Sequence, residues 1–441
     1  MMGGPANTGS DYLGWPAIVR IGLVQAAIGA VVVFTTSTLN RVMVVELGLA
    51  ASVPGALVAF HYALQALRPR WGHGSDRTRR RTPWIVGGMI VLGAGGVLAG
   101  WATALAQQAQ APGLAMAVFA FLLIGLGVGA AGTALLTLLA ERVHPDRRGP
   151  AAAIVWITMI AGFVVTTALV SIAISPFSME RLVEAACWVS AISVAVALLA
   201  LTGLERGPVP QGGDMRARRE ATDWKQAVAL VRADRQACGF AIFIFVSMLA
   251  FSGQDLILEP FAGLAFGLSP AATTALSSMH NGGVLAGMIA VALLARGEGR
   301  DRLRALTIAG CAGSAVGLAL LTIAGLSAEL FMLRAALVLM GLANGIYAAA
   351  AIALMMGLAH SGPGAGVRMG VWGAAQAVAM GGGGLAGALA ADAMRLALGQ
   401  PILAYVLVFC LEAVLFLLAP RVLPRLSTGI RRDAQPAMVT A

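Results

Sequence analysis

Apolar runs long enough to cross a bilayer alternate with short polar breaks along almost the whole chain. The runs cover residues 18–39, 47–67, 84–106, 113–140, 150–173, 182–204, 238–258, 270–295, 305–327, 335–359, 367–391 and 401–420. Unbroken runs of about 20 apolar residues predict transmembrane helices. The longest polar break runs from Glu205 to Arg235. Its GPVPQGG opening predicts a flexible start, and WKQAVALVRA a short amphipathic helix on the membrane face or against the bundle. The expected fold is an all-α membrane protein of twelve transmembrane helices. Its organisation is a tail at 1–17, a six-helix bundle at 18–204, a linker at 205–237, a second bundle at 238–420 and a tail at 421–441.

Charge orients these spans. With the N-terminus in the cytoplasm, all but four of the 30 Lys and Arg residues fall on the cytoplasmic side. The four exceptions are Arg41, Arg181, Arg334 and Arg395, read as residues of the opposite side. That asymmetry predicts both termini, the linker and both tails in the cytoplasm, and an even number of spans.

The densest basic segment is RPRWGHGSDRTRRRTPW, residues 68–84, between the second and third spans. Gly72, Asp76, Arg77, Arg79, Arg80 and Arg81 form G-x-x-x-D-R-x-R-R-R. Gly72 and Gly74 suit a tight turn, and Asp76 suits helix N-terminal amides or an arginine. A plain topogenic cluster is the alternative to this structured hairpin. The segment has an echo in GEGRDRLR: Gly297, Asp301, Arg302 and Arg304 match Gly72, Asp76, Arg77 and Arg79, each displaced by 225 positions. Gly125, Gly129, Val155 and Trp156 match Gly341, Gly345, Val371 and Trp372 at a displacement of 216. Two segments repeated at nearly one spacing predict a duplicated, two-half molecule.

Composition excludes several classes. The chain is 59% apolar and 11% charged, against about 25% charged for a soluble domain. The net charge of +10 raises nucleic acid as a partner, but the charge sits in loops between spans, so the expected partner surface is the lipid bilayer. The cysteines Cys187, Cys238, Cys311 and Cys410 lie in or beside spans without metal spacing, and the N-terminus shows no cleavable signal. No nucleophile elbow, Walker sequence or metal-ligand cluster is present, so the expectation is a protein that is not an enzyme.

Candidate chemistry lies in polar residues at membrane depth, which are costly there and default to functional candidates. His61 is the only ionisable side chain well inside the first six spans, which argues against a proton-driven pump. Gln254, Asp255 and Glu259, in FSGQDLILEPF, sit near the outer end of the seventh span. They read as a polar gate or ligand anchor, or as a helix end facing water. Glu412, in LVFCLEAVLFLL, should face the bundle interior, be protonated, or pair with Arg334 or Arg395. His61 and His280 fall in counterpart spans, but their displacement of 219 is not the 225 of the neighbouring loops, so they read as unmatched positions. Each imidazole suits either a ligand for the magnesium of a chlorin or ordinary packing against backbone. Asn281, Asn344 and Gln376 read as interhelical glue, and GLGVGAAG, GGVLAG and GGGGLAGALAA as close-packing surfaces or bends.

Two six-span halves with GHGSDRTRRR between spans two and three resemble the major facilitator superfamily, whose pattern has Gly where this chain has Arg79. STLNRVMVVELGL, FHYALQALRPRWGHGSDRTRRRTPW, LLAERVHPDRRGPAAAIVW and SGQDLILEPFAGLAFGLSPAATTALS resemble its PucC-like, or bacteriochlorophyll delivery, branch. That resemblance implies two pseudo-symmetric halves in the inner (cytoplasmic or intracytoplasmic) membrane of a phototrophic bacterium. It also implies bacteriochlorophyll as cargo, and light-harvesting polypeptides and pigment-synthesis enzymes as partners. The role it implies is assembly of light-harvesting complexes. Two alternatives remain: a secondary transporter of a small solute, and a non-catalytic subunit associated with bacteriochlorophyll synthesis.

Overall fold

The computed structural model describes residues 12–68, 70–71, 75, 80–144, 147–205, 233–294, 299–359 and 365–423. Among them are twelve apolar helices, numbered in chain order. The first half contains α1 (Trp15–Val33), α2 (Ser52–Leu64), α3 (Thr82–Gln108), α4 (Gln110–Arg142), α5 (Arg148–Ala173) and α6 (Met179–Leu201). The second contains α7 (Arg235–Phe266), α8 (Pro270–Leu294), α9 (Arg300–Ser327), α10 (Leu330–Ala359), α11 (Ala365–Leu398) and α12 (Pro401–Leu418). The segment expected to form an amphipathic helix, WKQAVALVRA, lies outside the described residues except for its last, Ala233.

Eleven of the helices are long and apolar enough to cross a membrane, and α2 is the shorter twelfth. Their outer faces carry large apolar side chains such as Ile172, Trp188, Leu199 and Phe331. Such a surface suits hydrocarbon, and the chain is a multi-pass membrane protein.

The two halves share one plan. In the first, α1 packs on α5 and α6, α3 on α4 and α6, and α2 on α4. In the second, α7 packs on α11 and α12, α9 on α10 and α12, and α8 on α10. Between halves, α2 meets α11 and α5 meets α8. This is the pseudo-symmetric arrangement that the repeated segments imply. Glycine makes it tight at matched places. A Cβ on Gly125 would press on the His61 carbonyl oxygen, and one on Gly341 would overlap that of His280. Small residues permit such approach where no hydrophobic effect drives helices together.

Those matched crossings correct the reading of the two histidines. His61 and His280 occupy equivalent places, each beneath the same repeated glycine. The spacing misleads because α2 gives way to a 3-10 turn at Gln65–Leu67, whereas α8 runs as regular helix to Leu294. The second half therefore holds six more residues between histidine and loop.

Two expected boundaries also move. The first span runs on through π-helical turns at Phe34–Leu39 and Val42–Glu46, about 48 Å in all at 1.5 Å per residue. It ends where Gly48 turns the chain with φ of +66°. Arg41 is consequently a buried helix residue, not part of an outer loop. The seventh span continues past Pro260 to Phe266, and Gly267, at φ +64°, ends it.

Candidate functional site

The halves are fastened to one another by polar side chains that the extended first helix delivers. Ser37 and Ser277 both donate to Glu259 Oε1, so one carboxylate joins α1 to α7 and α8. Thr38 and Thr274 hydroxyls lie 3.3 Å apart, and Asn40 Nδ2 donates to the Leu256 carbonyl at 2.6 Å. Arg41 reaches Glu46 Oε1 at 2.6 Å with one terminal nitrogen and the Leu268 carbonyl at 2.7 Å with the other. Asp392, near the end of α11, accepts from the amides of Ala51 at 3.0 Å and Ser52 at 2.7 Å. A carboxylate there satisfies orphan donors and complements the helix dipole of α2. Among the described residues, these cross-half hydrogen bonds gather at the end away from Arg81.

The Arg81 end is held within the first half. Its guanidinium meets Glu141 at 2.6 and 3.1 Å and Ser75 Oγ at 2.5 Å. Glu205, just beyond α6, accepts from the amides of Arg81 at 2.7 Å and Thr82 at 2.9 Å and so caps α3. Burial works against its charge, but those amides, the Thr82 hydroxyl and the Arg142 guanidinium hold it below the ordinary carboxylate value. Gly72, Asp76, Arg77, Arg79 and Gly297 lie outside the described residues. Arg80 is exposed beside Arg81, and Asp301 sits in the first turn of α9, where an acid suits the helix N-terminus. Arg302 is exposed on the same turn, and Arg304 is half-buried, its Nε without a partner.

Between these ends lie the candidates at membrane depth. His61 is buried in α2, its Nδ1 2.7 Å from the Val58 carbonyl. A carbonyl only accepts, so Nδ1 carries the proton and Nε2 presents a lone pair. That Nε2 is buried without a hydrogen-bond partner. The Tyr62 and Phe121 rings flank the imidazole at 4.2 and 6.5 Å. His280 is buried too, its Nδ1 3.3 Å from the Leu337 carbonyl of α10.

On α7, Gln254 and Glu259 are buried inside the helix, not at a helix end facing water. Both side-chain atoms of Gln254 and both carboxylate oxygens of Glu412 lack partners. Glu412 lies against Gly253, and neither Arg334 nor Arg395 pairs with it. Asp255, next to Gln254 on α7, is by contrast exposed. The structure thus brings Gln254 of α7 and Glu412 of α12 onto packed neighbouring helices and places Glu259 in the cross-half fastening. Asn344 accepts from Ser314 at 2.7 Å and Asn281 donates to its own helix, so only the former is interhelical glue. The glycines of GGGGLAGALAA serve close packing: Gly383 and Gly387 of α11 lie against α7 backbone.

Ser37, Arg41, Asp392 and Trp156 are absent from the candidates that sequence alone suggests. The signal for the first two is the polar run STLNR within an apolar chain. Trp156 lines a cavity of about 210 Å³ between α5, α8 and α10.

Residues 38–430 match the family profile described as PUCC protein. The chain is 47% identical over 416 residues to the bacteriochlorophyll synthase 44.5 kDa chain of Rhodobacter capsulatus, covering 92% of this chain and 94% of that one. It is 26% identical to protein PucC of Rhodovulum sulfidophilum, over 89% of this chain and 88% of that one. Among solved structures, a bacterial homologue of the human lysosomal transporter Spinster superposes with a TM-score of 0.66 at 14% identity, covering 93% of this chain and 98% of that one. That likeness shows a major facilitator superfamily fold. The profile match across most of its length, with the 47% identical relative, places the chain in the PUCC protein family.

Proposed function

We propose that the protein handles bacteriochlorophyll within the membrane, taking newly made pigment and delivering it to light-harvesting polypeptides during their assembly. Family membership supports the setting, a photosynthetic membrane, and the relative named as a synthase chain supports a position beside pigment-synthesis enzymes. The observation that carries the chemistry is His61. Its buried Nε2 offers a lone pair to no protein donor, which is the donor a chlorin magnesium takes up. Tyr62 and Phe121 flank the imidazole and give the site an aromatic wall. The chain contributes binding and orientation in this reading and is not itself a catalyst. His61→Ala should lose or blue-shift the near-infrared pigment band while folded protein persists, and added imidazole should partly restore it. Full pigment occupancy in the alanine variant would return His61 to the role of a packed core residue.

One observation favours a second reading, transport of a small polar solute. Gln254 and Glu412 present four buried polar atoms without partners, beside Asp255. Such groups at membrane depth mark solute or ion paths in transporters. Uptake into vesicles that is abolished by Glu412→Gln would favour transport over pigment handling.

The arginine asymmetry supports both termini and the Arg81 end in the cytoplasm of the inner membrane. The cross-half fastening then closes the periplasmic side. A reporter active only in the cytoplasm, fused at Gly212 or after Arg432, should be active, and one at Gln110 silent. Activity at Gln110 would overturn the orientation.

A further inference from the structure

The cavity between the halves is chemically uniform. Ala152, Ala153, Trp156 and Ile157 of α5 form one wall; Met288, Val291 and Ala292 of α8 and Ala349, Ile352, Ala353 and Met356 of α10 form the others. No side chain in this lining is ionisable, and the small alanines leave the space that Met and Ile border. Thioether side chains adapt to a flexible occupant better than branched ones do. At about 210 Å³ the cavity is below the roughly 300 Å³ at which pockets begin to hold a whole drug-sized ring system. It is small for a macrocycle and apolar enough for a hydrocarbon chain.

Pseudo-symmetry marks the place as special. Trp156 and Trp372 are repeat counterparts. Trp372 is wholly packed: its Nε1 donates to the Ala237 carbonyl at 3.0 Å, and its ring meets Phe240 at 4.9 Å. Trp156 is only half-buried and faces the cavity instead. One half uses the repeated indole as core, and the other leaves it as a wall. The cavity also continues the line of His280. Met288 follows His280 by eight residues on α8, about 12 Å at 1.5 Å per residue.

We propose that this cavity binds a long isoprenoid chain, the ester tail of a tetrapyrrole. The proposal rests on the pigment-handling reading and adds to it a site that selects esterified over unesterified pigment. Apolar burial contributes about 0.8 kcal/mol per methylene, so excluding even two costs roughly tenfold in affinity.

The test uses the purified full chain in detergent and three probes: bacteriochlorophyll, its tail-free acid, and the isoprenoid alcohol phytol. Wild type should bind the esterified pigment at least about tenfold more tightly than the tail-free acid. Ala349→Phe, which fills the cavity, should erase that difference while leaving tail-free binding unchanged. Phytol should compete with esterified pigment in wild type but not in Ala349→Phe. If Ala349→Phe fails to fold, Ala153→Phe, whose site is already exposed, serves in its place. Equal affinity for both pigments in wild type would overturn the tail site and leave pigment handling standing. Binding of neither pigment would overturn pigment handling, and phytol alone would then decide whether the cavity takes an isoprenoid. Competition by a phospholipid as strong as by phytol would make it a lipid site and overturn the proposal.

Discussion

Gly341→Ala will sharply reduce the amount of folded protein, whereas Gly282→Ala will not. Gly341 of α10 crosses α8 so closely that an added Cβ would overlap the His280 carbonyl oxygen and come within 3.1 Å of the carbonyl carbon and 3.2 Å of the Gly283 Cα. The obstructing atoms are backbone, so no side chain can rotate away. The helices must separate, and that disturbs further glycine contacts along the same crossing, at Gly283, Gly287 and Gly345. Overpacking of this kind costs about 3 kcal/mol or more, the upper end of its range, because the contact repeats along the crossing. Gly282 shares the local sequence but has nothing within 4 Å of its Cβ position. Yield of monodisperse protein in mild detergent is the measurement. Equal yields from the two variants would refute the close-packed crossing, and with it the equivalence of His61 and His280.

Arg41→Ala will lower the melting temperature more than any substitution of an exposed arginine. Arg41 is 2% exposed, pairs with Glu46, and donates to the Leu268 carbonyl in the turn between α7 and α8. Gly263 leaves room for its guanidinium, against which a Cβ would press at 2.8 Å. Removing one partner of a buried pair costs about 3–5 kcal/mol, and the partial exposure of Glu46 puts this case near the lower figure. Arg41→Lys should recover only part of the loss. An ammonium is a point donor and cannot span Glu46 and Leu268 as the planar guanidinium does. A melting temperature unchanged in Arg41→Ala would mean that the Arg41 contacts with Glu46 and Leu268 contribute nothing to stability.

The spans and the duplication are legible in the sequence because each follows from local hydropathy or spacing. The fastening between the halves is not. Ser37, Glu259 and Ser277 meet across more than 200 positions, and nothing local to Ser37 names its partner. Arg41 misleads for a related reason: a cation beyond an apolar run reads as an outer loop, but here the helix continues and a carboxylate and a carbonyl receive the charge. The apolar run 238–258 ends the seventh span before Glu259, yet α7 passes through Glu259 and Pro260 to Phe266 with neighbouring helices packed around. Trp156 and Trp372 show the converse limit. Their repetition is plain in the sequence, but their different surroundings arise only from how the halves meet.

The most direct measurement of pigment handling is the near-infrared absorption of the wild-type protein, purified in mild detergent from a pigment-making cell and expressed per mole of chain. A stoichiometric bacteriochlorophyll band that survives gel filtration with the protein is the predicted result. A folded, monodisperse protein without that band, from a cell that makes the pigment in excess, would contradict it.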